Sequence, residues 1–243
     1  MKRNVLEITR LLVLAIFSLS LLTGCSNNAE SNSTGTNPNS TGTNPNSNES
    51  SSGNQSESYT SSELEKHITS SGAITERGKL VVFVKNDNDV AIDIEIEVEF
   101  YDAENVIVGS DSDSWHAIGN NSEIATEMWN TPENFDNYKI YVDVEQTEET
   151  SYYDQLEVTH NNNGEEIVVQ VKNNSQDVIE YINVSVVYYQ GDKVVGIDDS
   201  SDSDIKSGRS ANFNLMFPYD KKYNDVNFDN YKVFVNEACS YNW

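Results

Sequence analysis

The sequence predicts an all-β fold, two tandem antiparallel β-sandwich domains with bounds near residues 59–148 and 149–243. Three observations lead there. Ile92, Ile94, Ile96, Val98 and Phe100 alternate with Asp93, Glu95, Glu97 and Glu99, and a period of two puts one set on a core and the other in water. Short apolar runs are separated throughout by Asn-, Asp-, Gly- and Ser-rich turn segments, the spacing of an all-β chain. The second part of the chain also repeats the first at an offset of about 87 residues, the mark of a duplicated module.

Before these domains come an address and a spacer. Lys2, Arg3 and Arg10 lead into Leu11–Leu22. An apolar run of about 12 residues spans roughly 18 Å as a helix, short of the roughly 30 Å hydrocarbon core. Residues 1–24 therefore read as a secretory signal peptide. The run closes with Leu22-Thr23-Gly24-Cys25, which resembles the lipobox of bacterial lipoproteins. That resemblance implies diacylglycerol on the thiol of Cys25, with palmitate-type acyl chains. Leu22, Thr23 and Gly24 become the cleavage determinants. It implies a membrane partner reached through lipid, on the extracytoplasmic face of the cell membrane. Two acyl chains, at about 0.8 kcal/mol per buried CH₂, give a stable anchor. Of two cysteines in the chain, lipid on Cys25 leaves Cys239 without an intramolecular partner. The fold must then stand without a disulfide in an oxidising compartment.

Residues 25–58 are almost entirely Ser, Asn, Thr and Gly and carry STGTNPN twice, at Ser33–Asn39 and Ser40–Asn46. Nothing there offsets the entropy of ordering, so the segment reads as a disordered tether. About 33 flexible residues reach roughly 30 Å, a length suited to clearing a Gram-positive-type wall. The formal charge is −25, from 15 Lys+Arg against 40 Asp+Glu. Such a surface repels nucleic acid and anionic headgroups and favours cations and basic partners.

The repeats align in order. Lys79–Asn86 matches Glu166–Asn173, Val106–Gly109 matches Val194–Gly196, and Phe135-Asp-Asn-Tyr-Lys139 recurs unchanged as Phe228–Lys232. The second copy carries an insertion around Tyr219–Asn227. Ile182, Val184, Val186 and Tyr188 answer the first copy's Ile94–Phe100, after a one-residue shift that is expected in the preceding loop. Further strands are expected at Val106–Ser110, Ile124–Trp129 and Tyr138–Val144, then at Val194–Asp198, Ala211–Phe217 and Tyr231–Asn236. Only Ser61–Ile68 has a helical period. Phe135, Tyr138, Phe228 and Tyr231 are expected in the cores, in the manner of sandwich tyrosines. Several short strands in about 90 residues predict an immunoglobulin-like (Ig-like) sandwich, without the Cys…Trp…Cys pattern of antibody domains. Val171–Ser175, Tyr188-Tyr189, Lys206–Ser210 and Phe213-Asn-Leu215 leading to Tyr219-Asp220 resemble the FxLYD repeats of bacterial lipoproteins. The first copy departs from that pattern, with Thr126-Glu-Met128 in place of Phe-x-Leu. The resemblance implies fold and location and no particular chemistry.

Catalytic signatures are sparse. His67, His116 and His160 fall in no metal or triad spacing, and no GxSxG, P-loop or CxxC occurs. The expected role is therefore non-enzymatic: binding an envelope or extracellular protein or glycan, or organising the envelope. Asp111 and Asp113, with Asp198, Asp199, Asp202 and Asp204 at the equivalent place in copy two, read as acidic loops following a strand. They offer hard oxygens for calcium, although the EF-hand glycine and terminal glutamate are missing. The same residues suit an exposed strand edge guarded by charge. Trp115, an aromatic in only one copy, is a candidate contact residue or a lid on its own sandwich. A calcium-stabilised adhesion module is one alternative. A wall-acting hydrolase is another, and it requires a pocket that joins carboxylates from both copies.

Overall fold

The structure, a computed structural model, describes residues 58–241. The signal peptide, Leu22, Thr23, Gly24, Cys25 and the tether up to residue 57 lie outside the described residues. The folded part opens with one helical turn, α1 (Ser61–Leu64), continued as a 3₁₀ turn over Glu65–His67. Thr60 N–H donates to the Glu63 carboxylate at 2.9 Å, a reciprocal cap at the helix start. Leu64 is buried and closes one end of the first core.

Six strands make the first sandwich: β1 (Ile68–Ile74), β2 (Leu80–Asn86), β3 (Ile92–Tyr101), β4 (Ile107–Ile118), β5 (Glu123–Met128) and β6 (Asn137–Gln146). They pair antiparallel as β1-β2-β5 and β4-β3-β6. After β7 (Thr150–Ser151) the plan recurs with β8 (Leu156–Asn162), β9 (Glu166–Asn173), β10 (Ile179–Gln190), β11 (Lys193–Ile205), β12 (Ser210–Met216) and β13 (Asn230–Ser240). The second pair of sheets is β12-β9-β8 and β11-β10-β13-β7. The chain is an all-β protein of two antiparallel sandwiches. In both copies, alternate residues of the central strands fill the core: Ile92 to Phe100 in one, Ile182 to Tyr188 in the other.

One polar device is duplicated with the fold. Asn86 is fully buried and donates through Nδ2 to Val90 O at 3.0 Å and Gly119 O at 2.9 Å, while its Oδ1 accepts from Asn88 N at 3.0 Å. Asn173 repeats this with Asp177 O and Ile205 O, both at 2.8 Å, and with Ser175 N at 2.8 Å. Each amide joins backbone groups of the β2–β3 or β9–β10 loop to a carbonyl at the end of β4 or β11.

Four placements differ from the sequence expectation. β1 and β8 are strands that apolar alternation does not reveal, because each is an exposed sheet edge. His160 accordingly lies in β8, and His67 in the 3₁₀ turn. β4 and β11 run to Ile118 and Ile205, so Asp111, Asp113, Asp198, Asp199, Asp202 and Asp204 lie inside strands and not in loops. The one-residue shift is absorbed within β10: Glu180-Tyr181 stand where copy one has Asp93 alone, and the β10–β13 register slips at Asn183/Val184. Phe135, Tyr138, Phe228 and Tyr231 pack against the cores while staying partly exposed.

The two sandwiches belong to one compact unit. The outer face of β1-β2-β5 lies on the outer face of β11-β10-β13, and Val81, Ala125, Val187, Val194 and Phe234 form a third core between them. Phe83 and Phe234 meet at 5.9 Å. Four sheets thus stack with three apolar layers between them. Glu76 N–H donates to Val195 O at 3.2 Å, and Lys193–Glu76 and Lys232–Glu123 ion pairs edge the contact. Asn236 takes the part of a missing strand: its Oδ1 accepts from Ala125 N and its Nδ2 donates to Ala125 O, both at 3.0 Å.

Candidate functional site

The open edge of the first sandwich and the margin of the second enclose a cleft of about 370 Å³. Its construction follows from strand register. Asp111, Asp113 and Trp115 sit opposite Val98, Ile96 and Ile94 of β3, so they point toward the inner side of their sheet, at its unpaired edge. Inward charge on an edge strand opposes pairing with another chain. Asp111 accepts from Asn130 N at 2.7 Å and Asn130 Nδ2 at 2.8 Å. Asp113 accepts from Thr126 Oγ1 at 2.6 Å and Trp115 Nε1 at 3.0 Å. These carboxylates tie β4 to the neighbouring sheet. They also accept from the next residue's backbone, Ser112 N at 3.1 Å and Ser114 N at 3.0 Å. The Asp-Ser alternation thereby occupies edge N–H groups that another strand would otherwise pair.

The second sandwich brings Asp199 to the same cleft, where it accepts from Asn183 Nδ2 at 3.1 Å. Asp198 faces the other way, beside Val186, and accepts from Met216 N at 2.7 Å, the counterpart of the Asp111 tie. Asp202 and Asp204 are exposed near the end of β11. Of the six aspartates singled out in the sequence, three (Asp111, Asp113 and Asp199) line the cleft and three do not. Among the described residues, no three or more His, Cys, Asp or Glu side chains gather as a metal-holding group. Trp115 packs against the first core, as a lid on its own sandwich, and also lines the cleft.

Sequence reasoning missed the residues on the facing strands. Trp129 is 65 % exposed at the cleft, and Tyr181, Asn183 and Asn236 form the opposite wall. Glu127 is the most informative of them. It leaves β5 toward the second sandwich, with its side chain only 5 % exposed, and pairs with Arg77. Arg77 also bonds the Tyr219 hydroxyl and lies over the rings of Tyr219, at 4.9 Å, and Trp129, at 5.7 Å. The insertion that carries Tyr219 is therefore a clasp on the first sandwich. Glu127 Oε1 is buried with no hydrogen-bond partner, unlike every other buried side-chain nitrogen or oxygen among the described residues. Burial raises the pKa of Glu127 although Arg77 opposes the rise, and Asp199 adds to it. Burial likewise raises Asp113 and Asp198. The signal that was available is local: β5 places Glu123 and Glu127 where β12 has Ser210 and Asn214.

What this arrangement can do is accept hydrogen bonds beside aromatic faces. No Lys, Arg or His side chain lines the cleft. No known family model matches the chain, and no curated protein matches it.

Proposed function

We propose that the protein is a non-enzymatic lipoprotein, held at the outer face of the cell membrane by lipid on Cys25, whose inter-sandwich cleft binds an extracellular glycan. The cleft carries the reading: Trp115, Trp129 and Tyr181 offer flat apolar surface, and carboxylates and carboxamides from both repeats offer hydrogen-bond partners. Concave, aromatic-lined sites with a few fixed polar groups are the general form of a small-ligand pocket. Carboxylates from both repeats do meet here, as a hydrolase requires, but each is already engaged. Asp111, Asp113 and Asp199 hold structural N–H or O–H donors, and Glu127 holds Arg77. A general acid needs a group free to exchange its proton with substrate, which favours binding over turnover. Leu22–Cys25 and the polar tether support display outside the cell.

The test is calorimetric titration of the full chain in detergent with tetramers of glucose, N-acetylglucosamine and glucosamine. At least one should bind saturably, and Trp129→Ala, at an exposed position, should weaken it about tenfold or more. No heat from any tetramer overturns the glycan reading. Heat that continues after each injection, with shortened product, overturns the non-enzymatic one. For the anchor, labelled palmitate should mark the wild type in cells and leave Cys25→Ala unlabelled and released; equal labelling removes the lipid assignment.

A further inference from the structure

Resting on the glycan-binding reading of the cleft, we infer that its ligand is an amine-bearing sugar, with the ammonium held between Glu127 of the first sandwich and Asp199 of the second. Three observations converge. Four carboxylates line the cleft, from Asp111, Asp113, Glu127 and Asp199, with no Lys, Arg or His among its lining residues; Arg77 reaches Glu127 from beside the cleft and also bonds Tyr219. Glu127 keeps its second oxygen buried and without a donor. Arg77 offsets the charge through the other oxygen; an ionised carboxylate accepts only, so the missing partner of Oε1 is a donor, and a buried acceptor left without one is costly. Glu127 and Asp199 come from different sandwiches and repel each other across the junction, an interaction that adds to the burial effect on Glu127. An ammonium answers all three: it brings positive charge, three N–H donors and a bridge between the two acids.

The body of the ligand follows from the rest of the wall. Trp129 presents an exposed ring for the C–H face of a sugar. Ser112, Asn130, Asn183 and Ser201 stand around it as hydroxyl partners, more than one ammonium on an aliphatic chain would use. Glu127 also borders a void of about 10 Å³ on the side of Pro218 and Tyr219. That is room for one water, which supplies a donor but no charge.

The discriminating measurement compares glucosamine tetramer with N-acetylglucosamine tetramer, which share a backbone and differ in the charge on nitrogen. With the full chain at pH 6, the amine form should bind about tenfold tighter at low salt. The gap should narrow toward 0.5 M salt, through screening of the exposed Asp199 carboxylate. Glu127→Gln should abolish the preference, read as the ratio of the two tetramers' affinities for the same variant. Because Glu127 also anchors Arg77 and its loss threatens folding, Asp199→Asn, on an exposed residue, provides the second variant and should reduce the preference about tenfold. Equal affinities for the two tetramers, with Trp129 still required, overturn the amine assignment and leave the glycan reading standing. Binding of neither overturns both. An unchanged preference in both variants returns Glu127's partner to the water-sized void and overturns the bridge. Tetralysine binding as tightly as glucosamine tetramer, with the same dependence on Asp199, overturns the sugar in favour of a polypeptide amine.

Discussion

The two sandwiches share strand order, a buried asparagine device and an FDNYK segment, yet they bury opposite outer faces. In the first, β2 presents Val81 and Phe83 to the partner sandwich; in the second, β9 has Val168 and Gln170 in the equivalent places and faces water. The reverse holds for the other sheets. β10 turns Asn183, Ser185 and Val187 inward to the contact, where β3 carries exposed or half-exposed Glu95, Glu97 and Glu99. Phe234 of β13 is buried, whereas Tyr141 in β6 is 46 % exposed. The contact is thus head to tail, the first type of sheet on one copy against the second type on the next. A heterologous contact of this kind propagates into a filament unless its free ends are blocked. Here one free face is acidic and the other polar, neither matching the apolar surface that joins the two sandwiches. The core positions specify the sandwich; the positions between them specify which sheet docks.

That division is open to attack by paired substitutions. Val81→Asp places a charge where no solvent reaches, and Val168→Asp places the same charge at the equivalent half-buried site. The first should lose about 3 kcal/mol or more in urea denaturation, from burial of an unpaired charge. The second should lose under about 1 kcal/mol, as for other surface changes. In Val81→Asp the loss should fall first on the contact between sandwiches, so the ring contact of Phe83 with Phe234 should disappear by NMR before either core unfolds. Equal losses at the two sites would mean that the inter-sandwich layer contributes nothing beyond proximity.

Much of this was legible in residue order. Ile92–Phe100 alternates because one face of β3 meets a core and the other meets water, and the duplication is visible in an unbroken pentapeptide. β1 and β8 were illegible because edge strands need no apolar face; β8 is exposed along nearly its whole length. The aspartates of β4 and β11 read as loop residues because Asp and Ser are poor strand formers. They are strand residues because their carboxylates bind across the sandwich edge and along the strand's own backbone. The cleft depends on which faces dock. Its nearest trace in sequence was the run Leu80–Val84, apolar at consecutive positions as a strand covered on both sides must be. Glu127 looked like an ordinary surface acid of β5 until the second sandwich covered it.

The smallest effect concerns a place where the repeats solve one packing problem differently. Copy one sets Asp113 against Thr126; at the equivalent positions copy two has Ser200 and Phe213, with Phe213 filling the core. Burial raises the pKa of Asp113, against the bonds from Thr126, Ser114 and Trp115. A carboxyl raised in the folded state takes up its proton at a higher pH than the unfolded chain does, so protonation there favours folding. Its ionisation is therefore a cost at neutral pH, and the cost lifts as pH falls through the folded value toward the ordinary carboxylate range near about 4. Asp113→Asn removes the titration and keeps an acceptor for Thr126. As pH falls from 7 toward about 4, the wild-type urea midpoint should rise relative to the variant's, and a constant difference would show that Asp113 titrates alike in both states. The exchange Asp113→Ser with Thr126→Phe transplants the other repeat's solution. It should lose the same pH dependence while recovering apolar packing, because in the second sandwich the edge is tied by Asp198 alone, with a phenyl ring where the first has a hydroxyl.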